Sequence, residues 1–138
     1  VLVDMENALT VLDALGGCKF MGVLLSDEDI AELVASATGW DFSTDEFRRS
    51  GERIYNLTRA YNIRAGAHRS QDKLPGRLAK DPLPDGPARG MTIDEKTMEM
   101  MKDAYYGLRG WDLASGSPTP EKLRQLGLDD LVKDLWDS

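Results

Sequence analysis

STDEFRRSGERIYNLTRAYNIR, residues 43–64, reads as one long helix, and its reading decides the fold class. Ser43 and Glu46 form a capping box, in which each side chain accepts a hydrogen bond from the other residue's backbone amide. Behind that start, Phe47, Ile54, Leu57 and Tyr61 recur at helical spacing, which predicts a helix from Thr44 to about Arg64 with those four residues turned inward.

The same punctuation extends in both directions. Val1, Met5, Ala8, Leu9, Leu12 and Leu15 mark a helix over residues 1–15 that Gly16-Gly17 stops. Ser26 with Asp29 caps a helix carrying Ile30, Leu33, Val34 and Ala37, and Gly39 closes it. Residues 74–90 hold Pro75, Pro82, Pro84 and Pro87 among glycines, which predicts an ordered or semi-extended connector. Thr92 with Glu95 is read as the next capping box, opening a helix lined by Met98, Met101, Tyr105 and Leu108. Thr119-Pro120 places a cap before a first-turn proline, opening a short helix that Gly127 ends. A last helical segment covers Leu128 to Trp136. No stretch alternates with β-branched enrichment, so the expectation is an all-α, irregular bundle of about six helices with a Pro/Gly-rich connector.

Composition sets further bounds. The chain has 138 residues, 41% of them hydrophobic, enough for a single domain spanning residues 1–138. A net charge of -7 argues against a nucleic-acid partner, whose phosphates require a basic surface. No apolar run suits a membrane span or an export leader. The single cysteine, Cys18, excludes an internal disulfide framework and fits a cytoplasmic location. The acidic run Asp27-Glu28-Asp29 is explained by a helix first turn, where exposed amides favour carboxylates. His68, the only histidine, sits in a basic loop and reads as solvated. No phosphate loop, zinc pattern or serine triad is present.

Asp13-Ala14-Leu15-Gly16-Gly17-Cys18 has two readings. In one, Cys18 is a small buried hydrophobe and Asp13 bonds a local backbone group. In the other, glycines just past a helix end let a thiolate approach a metal cluster, and Asp13 accepts hydrogen bonds from a bound heterocycle. A lone thiol would need companions from elsewhere, and a chain opening at Val1 within a helix suggests a segment of a longer polypeptide.

Asp13-x-x-Gly16-x-Cys18 resembles the second pterin-binding motif of the tungsten-containing aldehyde:ferredoxin oxidoreductase family. Asn56-Leu57-x-Arg59-x-Tyr61-Asn62-x-Arg64-x-Gly66-x-x-Arg69-x-x-Asp72-x-Leu74-Pro75-x-Arg77 is similar to the family's characteristic helix and loop. Tyr105-Tyr106-x-x-Arg109-Gly110-Trp111-Asp112, Gly116-x-Pro118-Thr119 and Leu126-Gly127-Leu128 resemble its C-terminal segment. The resemblance spans essentially the whole chain and implies the third, helical domain of such an enzyme.

By that resemblance Cys18 is the cysteine that completes the ligands of a 4Fe-4S cluster, the others lying upstream. Asp13 falls on the aspartate that hydrogen-bonds one of two pterins holding tungsten, or molybdenum in its place. Gly16 and Gly17 shape the turn between them, although the family often carries a larger residue at the latter position. The implied reaction oxidises a small aldehyde to a carboxylate, with ferredoxin as electron acceptor. The family's acid-base residues lie upstream, so no catalytic residue is assigned here. The isolated domain is expected to hold neither metal and to be inactive. Leu15, Phe20, Met21, Val23 and Leu24 are expected to lie exposed against the preceding domains, or in self-association of the fragment. Two alternatives stand beside this reading. One is a family member acting on a sugar-phosphate aldehyde or an aromatic thioester; the other is a cofactor-free helical interaction module.

Overall fold

The computed structural model describes residues 1–136; Asp137 and the expected domain end at Ser138 lie outside the described residues. The architecture is all-α. Among the described residues it comprises α1 (Leu2–Ala14), α2 (Met21–Leu24), α3 (Asp27–Thr38), α4 (Thr44–Arg64), a single 3-10 turn (Arg69–Gln71), α5 (Gly76–Lys80), α6 (Glu95–Arg109), α7 (Pro120–Gln125) and α8 (Asp130–Trp136). Eight α-helices therefore replace the expected six, because two short ones escape periodicity analysis. The first, α2, is one turn long, and α5 lies inside the Pro/Gly connector, where the Leu78 and Ala79 amides both bond the Pro75 carbonyl. The rest of the connector is closed on itself, by Leu83 N–H donating to the Met91 carbonyl and Gly90 N–H to the Leu83 carbonyl.

Helix starts follow side-chain chemistry. Ser26 and Asp29 form the reciprocal box, with the Ser26 hydroxyl accepting from the Asp29 amide at 3.1 Å and the Asp29 carboxylate from the Ser26 amide at 2.8 Å. Ser43 caps α4 by accepting from the Glu46 amide at 3.2 Å, but the return bond expected from Glu46 is not formed. At α6 the expected Thr92 cap is displaced by Asp94, which accepts from the Thr97 amide at 2.7 Å. A carboxylate outcompetes a hydroxyl there because the unpaired amides of a first turn favour negative charge.

The principal core lies between α1, α3 and α4. Val11, Leu12, Ile30, Ala31 and Phe47 are buried together, with Ala8, Leu9, Leu25 and Phe42 packed against them. Each large side chain so buried contributes roughly 1.5–3 kcal/mol. The α1 and α4 helices run antiparallel, with Phe47 in the Val11–Leu12 cluster and Tyr55 reaching back to Glu6. Between those contacts Gly51 is buried against the α1 backbone. A Cβ at Gly51 would lie 2.2 Å from the Asn7 carbonyl oxygen, so only glycine permits the approach.

A second set of buried residues comprises Ala60 on α4, Tyr106 on α6 and Trp111, Leu123, Leu126 and Val132 in the C-terminal segment, where the Tyr106 and Trp111 rings meet at 5.5 Å and Arg53 of α4 donates to the Leu126 carbonyl at 2.8 Å. Here the expected stripes are corrected. On α4, Leu57 is 44% and Tyr61 71% exposed, and the buried positions are Phe47, Gly51, Asn56 and Ala60. On α6, Met101 and Leu108 are exposed, whereas Lys102, Tyr106 and Arg109 face inward. Polar side chains take these places because each finds a partner, and no described buried side-chain nitrogen or oxygen lacks one. No described helix is long and apolar enough to cross a membrane.

Candidate cofactor turn and its supporting network

The turn that follows α1 is built from backbone bonds. Leu15 N–H donates to the Val11 carbonyl, Gly16 N–H to Asp13 and Gly17 N–H to Leu12. Gly16 adopts φ +72°, the left-handed conformation that lets the chain leave a helix end while capping its last carbonyls. Cys18 then opens the α2 turn, its carbonyl accepting from the Met21 amide at 2.8 Å. The Leu12 side chain beneath is 1% exposed, so the turn is moored to the core at its root.

The Cys18 thiol is exposed, which departs from the reading of Cys18 as a packing residue. Asp13 is exposed too, and its carboxylate pairs with the Lys19 ammonium at 3.1 Å. Gly17 makes no demand for glycine, because a Cβ there would meet Leu12 O at 3.4 Å and Leu12 Cδ2 at 3.5 Å, both ordinary contacts. Around the turn, Phe20 and Val23 are each 79% and Leu24 84% exposed, and Leu15 is half exposed. Met21 departs from the expected exposed set: it is partly covered, lying over Gly17.

As a donor set the turn offers one soft ligand. Iron–sulfur clusters take thiolates, and an exposed cysteine two residues after Gly16, where a Cβ would meet nothing within 4 Å, fits one corner of such a cluster. Among the described residues no three His, Cys, Asp or Glu side chains converge as a metal site. The described residues therefore fit a single contact to such a cluster. His68 is exposed, its ring nitrogen Nδ1 meeting the Ser70 hydroxyl at 2.7 Å.

The other residues that carry the resemblance form a polar scaffold. Arg109 is fully buried and lies over the Tyr55 ring at 3.7 Å. It donates to Asn7 Oδ1 at 2.5 Å, to Glu6 Oε2 at 2.6 Å and to the Tyr105 hydroxyl at 3.0 Å. Tyr55 and Tyr105 also donate to Glu6, which thus becomes a hub between α1, α4 and α6. Burial, aided by the hydrogen bonds with Tyr55 and Glu6, pushes the Tyr105 phenol well above its ordinary value.

A second hub is Asp72, which receives Arg59 in a fork at 3.1 and 2.6 Å and a hydrogen bond from the Tyr106 hydroxyl. Burial alone would raise the Asp72 carboxyl; the Arg59 and Tyr106 bonds more than reverse this and hold it below the usual carboxylate range. Tyr106 is pushed up to about 12, by burial first and then by its bond to Asp72. Arg59 also donates to the Gly116 carbonyl at 2.8 Å, and Trp111 Nε1 to Asn56 Oδ1 at 2.8 Å. Arg69 ties the loop to α6 through Glu99 at 2.5 Å and Asp103 at 2.7 Å. Glu6 and Asn7 escape the sequence reading, since a polar residue within a helix carries no local sign of a partner about a hundred positions away.

Comparison with known proteins places these features. Residues 1–128 match the family model described as aldehyde ferredoxin oxidoreductase, domains 2 and 3. The tungsten-containing aldehyde ferredoxin oxidoreductase of Pyrococcus horikoshii is 36% identical over 133 residues, 96% of this chain and 21% of that protein. The enzyme of the same name from Pyrococcus furiosus is 36% identical over 129 residues, 93% of this chain and 21% of its own length. The chain thus spans about a fifth of the length of these relatives. Among solved structures, a chain of the active-site complex BamBC of benzoyl coenzyme A reductase, in complex with 1,5-dienoyl-CoA, superposes with TM-score 0.79 at 25% identity, covering 98% of this chain and 20% of that one. With a family model matching nearly its full length, the chain belongs to the aldehyde ferredoxin oxidoreductase family, in the C-terminal part of the fold.

Proposed function

We propose that this chain is the C-terminal helical domain of a tungsten- or molybdenum-pterin oxidoreductase that converts aldehydes to carboxylates and passes electrons to ferredoxin. Within it Cys18 is the cysteine ligand this domain gives to a 4Fe-4S cluster, and Asp13 is the pterin contact. The observation that carries the reading is the exposed Cys18 on a glycine turn, with the exposed Asp13 five residues before it and the exposed apolar residues Leu15, Phe20, Val23 and Leu24 flanking it along the chain.

A bound metal–pterin would supply the two-electron chemistry, and the cluster single-electron relay. The residues of this chain hold and tune. The Cys18 thiolate anchors one iron and sets the local charge on which reduction potential depends. The Asp13 carboxylate would hold a pterin by accepting hydrogen bonds from its N–H groups. Gly16 and Gly17 shape the turn between Asp13 and Cys18 and add no side chain of their own. The exposed Leu15, Phe20, Val23 and Leu24 give the apolar surface that packs on the preceding domains of the same polypeptide. Separated from them, the domain holds neither metal and is inactive.

Cys18→Ala in the full-length protein tests this. Iron content, cluster absorbance and turnover should fall together while circular dichroism stays that of the parent. Intact cluster absorbance with full turnover would refute the assignment. A second reading, reduction of an aromatic thioester, is supported by the likeness to the benzoyl coenzyme A reductase chain. Assaying the purified full-length protein with an aldehyde and with an aryl-CoA thioester separates the two.

A further inference from the structure

We infer that Gly51 and Arg109, remote from the turn in sequence, are positioning residues that set the depth at which Asp13 and Cys18 are presented to the cofactors. The inference rests on the reading of Cys18 as a cluster ligand. Its basis is the way α1 is held at one residue, Asn7. The Asn7 carbonyl oxygen lies 2.2 Å from where a Cβ on residue 51 would be, and the Asn7 side-chain oxygen accepts from Arg109 at 2.5 Å. Arg109 grips Glu6 next to it at 2.6 Å. Glycine thus allows the closest approach of α1 to α4, and the buried guanidinium fastens α1 at that approach.

Asn7 precedes Asp13 by about 9 Å of rigid helix at 1.5 Å per residue. Gly17 N–H bonds the Leu12 carbonyl, so the turn moves with the helix. A methyl on residue 51 must retreat from 2.2 Å to the 3.4 Å of ordinary contact, a displacement of roughly 1 Å. The α4 helix cannot yield it easily. Arg49 and Arg53 hold the Gln125 and Leu126 carbonyls, Glu52 pairs with Lys122, and Asn56 is bonded by Trp111. The α1 helix therefore takes up the displacement as one rigid body and carries the exposed turn at its C-terminal end with it. Metal–ligand bonds tolerate only about 0.2 Å, so a shift of this size is decisive at Cys18.

The test uses the full-length protein, purified without oxygen, with three readouts: bound iron and sulfide, the electron paramagnetic resonance signal of the reduced cluster, and circular dichroism. Gly51→Ala should keep the dichroism but lose cluster occupancy by on the order of 10-fold, the scale seen when residues supporting a ligand are changed, and any remaining signal should change shape. Gly107→Ala, a helical glycine whose Cβ meets nothing within 4 Å, should match the parent in all three. If Gly51→Ala fails to fold, Asn7→Ala removes one Arg109 bond without a collision and should give a partial loss with an altered signal. Folded Gly51→Ala or Asn7→Ala protein with parental iron, sulfide and signal shape overturns the inference. Cys18→Ala in parallel separates the causes. If it keeps its cluster, the ligand reading fails and this inference with it; if it alone loses the cluster, only the positioning role fails.

Discussion

Arg109→Met asks whether the buried polar network holds α1 to α6, or whether apolar contact alone would suffice. Methionine fills comparable length without charge, so the change removes bonds and leaves little cavity. Lost are the Glu6 bond at 2.6 Å, the Asn7 bond at 2.5 Å and the Tyr105 bond at 3.0 Å, while Glu6 loses its counter-charge and keeps only the hydrogen bonds from the Tyr55 and Tyr105 hydroxyls. Removing one partner of a buried ion pair costs about 3–5 kcal/mol. Glu6 retains 25% of its side-chain exposure, so water recovers part of its solvation and the lower end, about 3 kcal/mol, is expected. Set against a total stability of ~5–15 kcal/mol, that is a large share, and it corresponds to a drop in melting temperature on the order of 10 °C. Urea unfolding followed by fluorescence of Trp111, which is buried against Tyr105, reads the change directly. Combining Arg109→Met with Glu6→Gln removes the stranded charge, so the double variant should be more stable than the sum of the singles by roughly 1–3 kcal/mol. A loss below about 1 kcal/mol for Arg109→Met at unchanged denaturant slope, or additive singles, would refute the claim that this network carries the contact.

The two glycines of the turn should behave differently in thermal unfolding. Gly17→Ala should fall within about 1 kcal/mol of the parent, with a gain from the stiffer unfolded chain. Gly16→Ala, forced to φ +72°, should lose about 1–2 kcal/mol; equal effects would contradict the turn geometry. Acid and base should act on the second hub in opposite senses. Because the folded Asp72 value lies below the ordinary one, its stabilisation is complete above about pH 4 and is lost as pH falls through the lowered value. Because Tyr106 is raised to about 12, its contribution is complete below about pH 10 and is lost as pH rises towards 12. Asp72→Asn should flatten the acid limb of a stability-against-pH curve, and an unchanged limb would rule out Asp72 as its source.

How much was legible depended on the range of the interaction. Ser26 with Asp29, Gly39 and Thr119-Pro120 read correctly because caps and stops act within four residues. Asp94 was passed over for Thr92 because two cap candidates stood close together, and first-turn electrostatics chose between them. The apolar stripes failed on α4 and α6 because the second core is built around Arg109, Asn56 and Lys102, and periodicity counts only apolar residues. The motif Asp13-x-x-Gly16-x-Cys18 was readable as a turn; the pairing of Asp13 with Lys19 and the moorage of the turn on buried Leu12 were not.

By itself the sequence determined the all-α class, most helix boundaries, the family and the candidate cofactor turn, since each is written in local spacing and residue type. Only the tertiary structure decided which faces are buried, that Glu6 and Asp72 gather the arginines and tyrosines, and that Asn7 meets Gly51 backbone to backbone. Those contacts join positions up to 103 residues apart. A charged side chain becomes a core residue when a distant partner satisfies it, and no local pattern encodes that partner.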